Sequence, residues 1–185
     1  LLGVLGRVGG KNSLEALRAG LKDKDEKVVD ASLRAMAKSW PDAACLDDLL
    51  NMAKTAATDV HKIVALQGYV RVAGLPSGRS AADTLKLYQA AMEVAKRPEE
   101  RKSVLAGLGD VKSAAALEIV AGCLADEAVK GEAEAAAVKI AKEIWQQQMA
   151  AVEPVMTKVV EGTKNNNVKK DARDVLNQIA KKKKK

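Results

Sequence analysis

The 185 residues predict an all-α fold, a superhelical solenoid of about five stacked units with two helices each. Apolar residues recur at helical spacings in paired segments that are separated by short polar turns. Equivalent apolar positions late in the second helices recur about every 35 residues, at Met36, Val70, Leu108, Ile140 and Leu176. Alternating β-branched or aromatic runs are scarce, since the chain has no Phe, two Trp and two Tyr. A regular period of two helices is typical of stacked repeats rather than of a bundle.

Five pairs of apolar stripes define the units in chain order. The first helices carry Leu14 and Leu17, Leu46 and Leu49, Leu85 and Tyr88, Leu117 and Val120, and Val152 and Val155. The second helices carry Leu33 and Met36, Leu66 and Val70, Val104 and Leu108, Ile140 and Ile144, and Val175 and Ile179. Val60 and Ile63 extend the second stripe of the second unit.

The segment Leu1 to Val8 looks like the second helix of a preceding unit. The first repeat is therefore expected to be truncated, and the chain to be a fragment of a larger protein. Ends of stacked repeats need a covering unit. We accordingly expect this helix to expose some of Leu1, Leu2, Val4 and Leu5.

Residues that commonly begin helices lie between the stripes. Asn12 and Ser13 are placed to cap the first complete helix, and Asp42 follows a Trp-Pro junction to cap the third. Ser80, followed three residues later by an acid, resembles a capping box. Pro98 suits a first helical turn, where its missing N–H costs little.

The order of residues around the first polar turn resembles a HEAT repeat. An acid in the turn is followed by small and apolar residues at helical spacing, namely Asp25, Val28, Ala31, Ala35 and Met36. A looser match follows at Asp59, Ile63, Ala65, Leu66 and Val70. The resemblance implies a right-handed α-α superhelix with an armadillo-like fold, forming one domain over residues 1–180. The Ala-rich, aromatic-poor composition is also similar to HEAT tracts of large bacterial multi-domain proteins.

In that family an Asp in the turn and an Arg early in the second helix form a structural ladder. Asp25 and Asp59 match the acid. The basic position is occupied by Val29 in the first unit, and Lys62, Arg101 and Lys169 are plausible substitutes in later units.

The formal charge of +7 comes mostly from the C-terminal residues 181–185, a polylysine tail. Without these five lysines, 31 − 5 = 26 basic residues face 24 acidic ones, so the body is nearly neutral. The tail fits two interpretations. It is a solvated extension, or it is an electrostatic anchor for anionic lipid or nucleic acid.

The sequence predicts neither an enzyme nor a cofactor or metal site. Cys45 and Cys123 lie far apart at apolar positions of predicted helices, which favours two buried thiols. His61, the single histidine, follows Asp59 at a helix start, with no nucleophile in a recognisable arrangement. No segment reaches the roughly 18 apolar residues that a membrane helix needs.

The predicted solenoid would present its second helices along an extended groove that suits a protein or peptide partner. On helical position, the partner-binding residues are predicted to be Lys27, Asp30, Arg34, Gln67, Arg71, Arg101 and Lys102. The alternative is a nucleic-acid-binding protein similar to HEAT-like DNA glycosylases, which would use basic residues and the lysine tail. Trp40 and Trp145 are predicted to be packing residues, which favours the first function.

Overall fold

The computed structural model describes residues 1–184, and within them it contains eleven α-helices, one short 3-10 turn and no strand. The helices are α1 (Leu2–Val8), α2 (Lys11–Gly20), α3 (Glu26–Ser39), α4 (Leu46–Thr55), α5 (Asp59–Ala73), α6 (Ala81–Val94), α7 (Pro98–Leu108), α8 (Ala114–Ala121), α9 (Lys130–Ile144), α10 (Met149–Gly162) and α11 (Asn166–Lys183). The 3-10 turn, Ala43–Cys45, precedes α4. The predicted all-α class is confirmed, and each predicted stripe falls on a helix.

Two details of the predicted elements are wrong. Helix α2 begins at Lys11 rather than Leu14, because Gly10 adopts a φ of 83° and interrupts the chain directly before it. Ser13 therefore lies inside the first turn. In α5 Leu66 is buried as predicted, but Val60 is 55% exposed, and His61, Ala65 and Tyr69 are also buried.

Several helix starts follow the sequence signals. The Ser80 hydroxyl accepts from the N–H of Asp83 at 3.1 Å. The Asp42 carboxylate, which was predicted to cap the helix that is α4, accepts from the Ala44 N–H and instead caps the 3-10 turn before it. Pro98 occupies the first position of α7. These contacts satisfy N–H groups that have no partner inside their own helix.

The chain divides into two compact units. The first comprises Leu1–Arg79 with Leu87–Lys96, and the second comprises Ser80–Lys86 with the chain from Arg97 onward. In the first unit α1 packs on α3 and α3 packs on α5, while α2 contacts α1 and α3, and α4 contacts α5. In the second unit α7 packs on α9 and α9 on α11, while α8 and α10 contact each other and both contact α9. Within each unit, alternate helices along the chain thus pack side by side.

Small residues allow these alternate helices to approach closely. A Cβ built on Gly6 of α1 would fall 2.6 Å from the Ala35 carbonyl oxygen of α3. Such contacts need residues without bulky side chains, which agrees with the Ala-rich, aromatic-poor composition.

The core of each unit consists of aliphatic side chains with few aromatics. Trp40 is buried, as predicted, and its indole N–H donates to Asp42 at 2.9 Å. The large side chains fully buried in the first unit include Leu17, Leu33, Met36, Leu49 and Tyr69. Those in the second unit include Leu105, Leu108, Leu117, Ile140, Met156 and Ile179.

Candidate functional site

Five of the predicted partner-binding residues lie on two neighbouring helices of the first unit. Lys27, Asp30 and Arg34 belong to α3, while Gln67 and Arg71 belong to α5, which packs against α3. Lys27 and Gln67 are exposed, and the other three are half-buried. Their environments differ enough to separate structural roles from a binding role.

Arg101 and Lys102 lie on α7, in the second unit. The Arg101 guanidinium pairs with Asp126 and lies 3.9 Å from the Cys123 sulfur. The hydrogen bond from Arg101 lowers the pKa of Asp126. Lys102 pairs with Glu99 one turn earlier, at 2.8 Å. Both cations are thus engaged inside their own unit.

Asp30 is the centre of a small charged cluster between α3 and α5. Arg34 Nε donates to both Asp30 carboxylate oxygens, at 2.9 and 2.8 Å. His61 Nε2 lies 3.4 Å from Asp30 Oδ1, and this imidazole is buried. The hydrogen bond from Arg34, aided by the charge of His61, lowers the pKa of Asp30. The cluster links two helices that are distant in sequence.

His61 lies in the first turn of α5, next to the helix cap. The expected neighbour, Asp59, does not cap α5; the Thr58 hydroxyl does, by accepting from the His61 N–H at 3.2 Å. The imidazole of His61 contacts Asp30 on the neighbouring helix α3. Sequence reasoning missed this pair because its members are 31 residues apart in the chain.

Arg71 has a structural position rather than a free one. Its Nε donates to the Ala37 carbonyl at 2.7 Å, and its Nη2 donates to the carbonyls of Trp40 at 2.8 Å and Met36 at 3.3 Å. Desolvation by burial lowers the pKa of Arg71. The last carbonyls of α3 have no partner within the helix, so Arg71 of α5 supplies one. In the sequence, the Trp-Pro junction marks the end of α3. It was therefore the one local signal that carbonyls at this helix end need a partner.

A partly apolar surface remains on the outer side of α5. Val60, Val64 and Gln67 follow helical spacing and form one face, which we call the α5 face. Val60 is 55% exposed, Val64 is half-buried and Gln67 is exposed. Among residues 1–184, the side chains of Gln67 and of Lys27 on α3 make no polar contact. These groups are available to a partner, whereas the Asp30 cluster and Arg71 are already engaged.

The ladder implied by the HEAT resemblance takes a different form from the one expected. Asp25 caps α3 by accepting from the Lys27 N–H, and Asp59 lies 4.0 Å from Lys62 of its own helix. Arg101 does pair with an acid, Asp126, in the turn of the following helix pair. Three other side-chain pairs join residues 29 or 30 positions apart in the chain: Arg18–Asp48, Lys142–Asp171 and Thr163–Glu134.

The cysteines differ in environment. Cys45 is fully buried, and burial raises the pKa of its thiol to about 12. Cys123 is half-exposed and lies in the turn after α8, not on a helix as predicted, because α8 ends at Ala121. Among the described residues no three His, Cys, Asp or Glu side chains are grouped closely enough to hold a metal ion.

A groove of about 360 Å³ lies at the C-terminal end of the second unit, lined by Trp145, Gln146, Gln178, Lys181 and Lys182. The Lys182 ammonium lies 5.8 Å from the Trp145 ring centroid and donates to the Gln146 carbonyl at 2.9 Å. Trp145 was expected to pack in the core, but it keeps part of its surface exposed. We call this the Trp145 groove.

The predicted lysine tail begins inside a helix. Lys181, Lys182 and Lys183 continue α11, and the Lys183 ammonium pairs with Glu153 of α10. Lys184 ends the helix, and Lys185 lies outside the described residues. No helix within residues 1–184 is both long enough and apolar enough to cross a membrane.

No protein-family model matches the chain, and no curated protein is significantly similar to it in sequence.

Proposed function

We propose that this chain is a non-catalytic module that binds a protein or peptide, built as a HEAT-like α-solenoid within a larger protein. Its binding surface is the α5 face together with Lys27 of α3. The observation that carries the proposal is the exposure of Val60 beside unpaired polar groups on one helix face.

The solenoid is supported by how distant residues pair. Long-range side-chain hydrogen bonds span 29 to 36 residues at Arg18–Asp48, Arg71–Ala37 and Lys142–Asp171, among others. Those of Arg101 to Asp126 and Cys123 span 25 and 22. In each unit the second helices of successive pairs also pack side by side. A spacing near one predicted period is what nearest-neighbour stacking of repeats produces.

The binding role is supported by the chemistry of the α5 face. Interfaces combine buried apolar anchors with polar groups at their rim. Val60 and Val64 provide apolar area, while Lys27 and Gln67 provide polar groups without intramolecular partners. The remaining charged residues nearby neutralise one another, because Arg34 and His61 both contact Asp30.

The absence of catalysis is supported by the same contacts. The polar side chains of this region pair with one another or with a helix end: Arg34 and His61 contact Asp30, and Arg71 donates to the last carbonyls of α3. A reacting site needs a nucleophile or base within hydrogen-bond reach of the reacting atom. Asp30 and His61 meet in a half-buried contact between two helices.

Site-specific photo-crosslinking tests the proposal. A photoreactive amino acid replaces Gln67 in one variant and the exposed Lys54 of α4 in a control. Both proteins are irradiated in nuclease-treated lysate of the source at moderate salt. We expect a discrete protein adduct from position 67 that position 54 does not give.

The identified partner is then titrated against Val60→Asp. This substitution introduces a charge on the α5 face, and an acid in the first turn of a helix does not oppose the helix dipole. We expect at least a ten-fold weaker Kd with an unchanged melting temperature. Equal adducts from both positions, or unchanged affinity of Val60→Asp, would contradict the proposal.

A further inference from the structure

Helix α11 carries an exposed stripe of basic side chains along its length. Lys170, Arg173, Lys181 and Lys184 are all exposed, and their spacing of three, eight and three residues, with Asn177 in the gap, places them on one side of the helix. At 1.5 Å per residue the stripe extends over about 21 Å. We call these four residues the α11 stripe.

The α11 stripe carries four cations, and one acid of the helix, Asp174, lies beside it four residues after Lys170. None of its four cations forms an ion pair within the described part of the chain. The two acids of α11 do not change this, because Asp171 pairs with Lys142 of α9 and Asp174 is a single exposed carboxylate. Helix α11 itself has six basic and two acidic residues, a net charge of 6 − 2 = +4.

The opposite side of α11 is packed in the core. Ala172, Val175 and Ile179 are buried. Helix α11 therefore has no free apolar side to insert into a lipid surface, which interfacial helices use for binding. The stripe suits a polyanion that lies along the helix, and a cluster of Lys and Arg along one helix is the electrostatic footprint of a nucleic-acid-binding protein.

The Trp145 groove adjoins the stripe, because Lys181 belongs to both. Proteins that bind single strands place aromatic rings beside cations. Unpaired bases stack on the rings, and the phosphates bind the cations. The side-chain amides of Gln146 and Gln178 offer donors and acceptors to the edges of a base. A base inside a duplex is not accessible to such a groove.

We infer that the α11 stripe and the Trp145 groove together bind single-stranded nucleic acid. Phosphates lie along Lys170, Arg173, Lys181 and Lys184, and one base stacks on Trp145 after the Lys182 side chain moves off the ring. This activity is independent of protein binding by the α5 face, which belongs to the other unit.

The test measures binding of the whole chain to a fluorescently labelled oligothymidine of 20 nucleotides by fluorescence anisotropy, at low and at moderate salt. A 20-base-pair duplex and polyglutamate of similar length are the comparison ligands. We expect the oligothymidine to bind more tightly than either. A plot of the logarithm of the binding constant against the logarithm of the salt concentration has a negative slope. Its magnitude should decrease by about 0.7 for each phosphate contact that a variant loses.

Two charge-matched double variants separate the stripe from net charge. Lys170→Glu with Arg173→Glu alters the stripe, and Lys158→Glu with Lys164→Glu makes the same change at exposed positions elsewhere in the second unit. We expect the stripe variant to bind at least ten-fold more weakly than the control variant. Equal losses in the two proteins would overturn the proposal.

Trp145→Leu tests the groove. We expect it to weaken oligothymidine binding by about ten-fold and to leave duplex binding unchanged. Circular dichroism shows whether the variant folds, and intrinsic Trp fluorescence of the wild type, quenched on adding oligothymidine, tests the same contact without a substitution. Binding of duplex or polyglutamate as tightly as oligothymidine, or no quenching of the wild type, would contradict the assignment.

Discussion

Gly68 of α5 lies directly against Ala37 of α3: a Cβ built on Gly68 would fall 2.5 Å from both the Cα and the Cβ of Ala37. The two residues occupy the crossing of the two helices that carry the Asp30 cluster, the α5 face and Arg71. Because one of the obstructing atoms is backbone, a side chain at position 68 cannot be accommodated by a rotamer change. The helices themselves would have to separate.

We therefore expect Gly68→Ala to lower the free energy of unfolding by about 1–3 kcal/mol, the usual range for overpacking a core. The control is Gly131→Ala on α9, where a Cβ meets no atom within 4 Å. That substitution should be neutral or stabilise by up to about 1 kcal/mol, because Ala is the better helix former. Urea titration measures both. A stabilised Gly68→Ala would show that the helix crossing is looser than described.

Arg71 is predicted to contribute to stability rather than to partner binding. Arg71→Gln removes the charged donors to the carbonyls of Met36, Ala37 and Trp40, and we expect a loss of about 1–3 kcal/mol. Gln67→Ala, four residues earlier on the same helix, should change stability by less than about 0.5 kcal/mol. Thermal denaturation distinguishes the two. An unchanged melting temperature for Arg71→Gln would refute the capping role.

The Asp30 cluster predicts an acid-sensitive contribution to stability. Because Arg34 and His61 lower the pKa of Asp30 below its ordinary 3.8, the folded state binds this proton less readily than the unfolded state. The contribution is fully present above the ordinary pKa, and it is lost as pH falls below that value through the lower pKa of the folded state.

The wild type should consequently be more stable than Asp30→Asn near neutral pH, and the difference should shrink as pH falls from about 5 to about 2. Urea midpoints at a series of pH values measure it. Asp59→Asn is the matched control, since Asp59 is 80% exposed and lies 4.0 Å from its cation. A difference between wild type and Asp30→Asn that does not vary with pH would contradict the ion-pair assignment.

The two thiols should react in a fixed order. Cys123 is half-exposed, whereas Cys45 is buried and burial raises the pKa of its thiol to about 12. Since the thiolate is the nucleophile, iodoacetamide at pH 8 should alkylate Cys123 alone in the folded protein. Mass spectrometry of the peptides reads out the site. In Cys123→Ser the remaining thiol should react only in denaturant; rapid labelling of Cys45 in the folded protein would show that its burial is transient.

Much of the secondary structure could be predicted from the sequence. Helix periodicity is a local property, so the stripes around Leu33, Leu105 and Ile140 identified their helices. Capping is local as well, which is why Ser80 and Pro98 indicated helix starts. Leu1, which precedes α1, and Val4 within it are exposed, as expected for this segment. The predicted buried face was wrong at the start of α5, where the apolar Val60 is exposed and the polar His61 is buried.

The candidate site could be predicted only in part. Lys27 and Gln67 are exposed as expected, but Arg34, Arg71 and Arg101 each have an intramolecular partner. The position of a residue along a helix predicts the side of the helix from which its side chain projects. It does not predict which groups of other helices lie on that side.

What the sequence by itself determined was the helical class and the concentration of positive charge near the C-terminus. These follow from spacing and composition, which act over a few residues. The tertiary structure decided which charges neutralise one another and which stay free: Arg71 stabilises the end of α3, while Lys170 and Arg173 have no ion-pair partner among residues 1–184. The physical reason is that these ion pairs and helix caps join residues about 30 positions apart in the chain, and only packing brings such residues within hydrogen-bond distance.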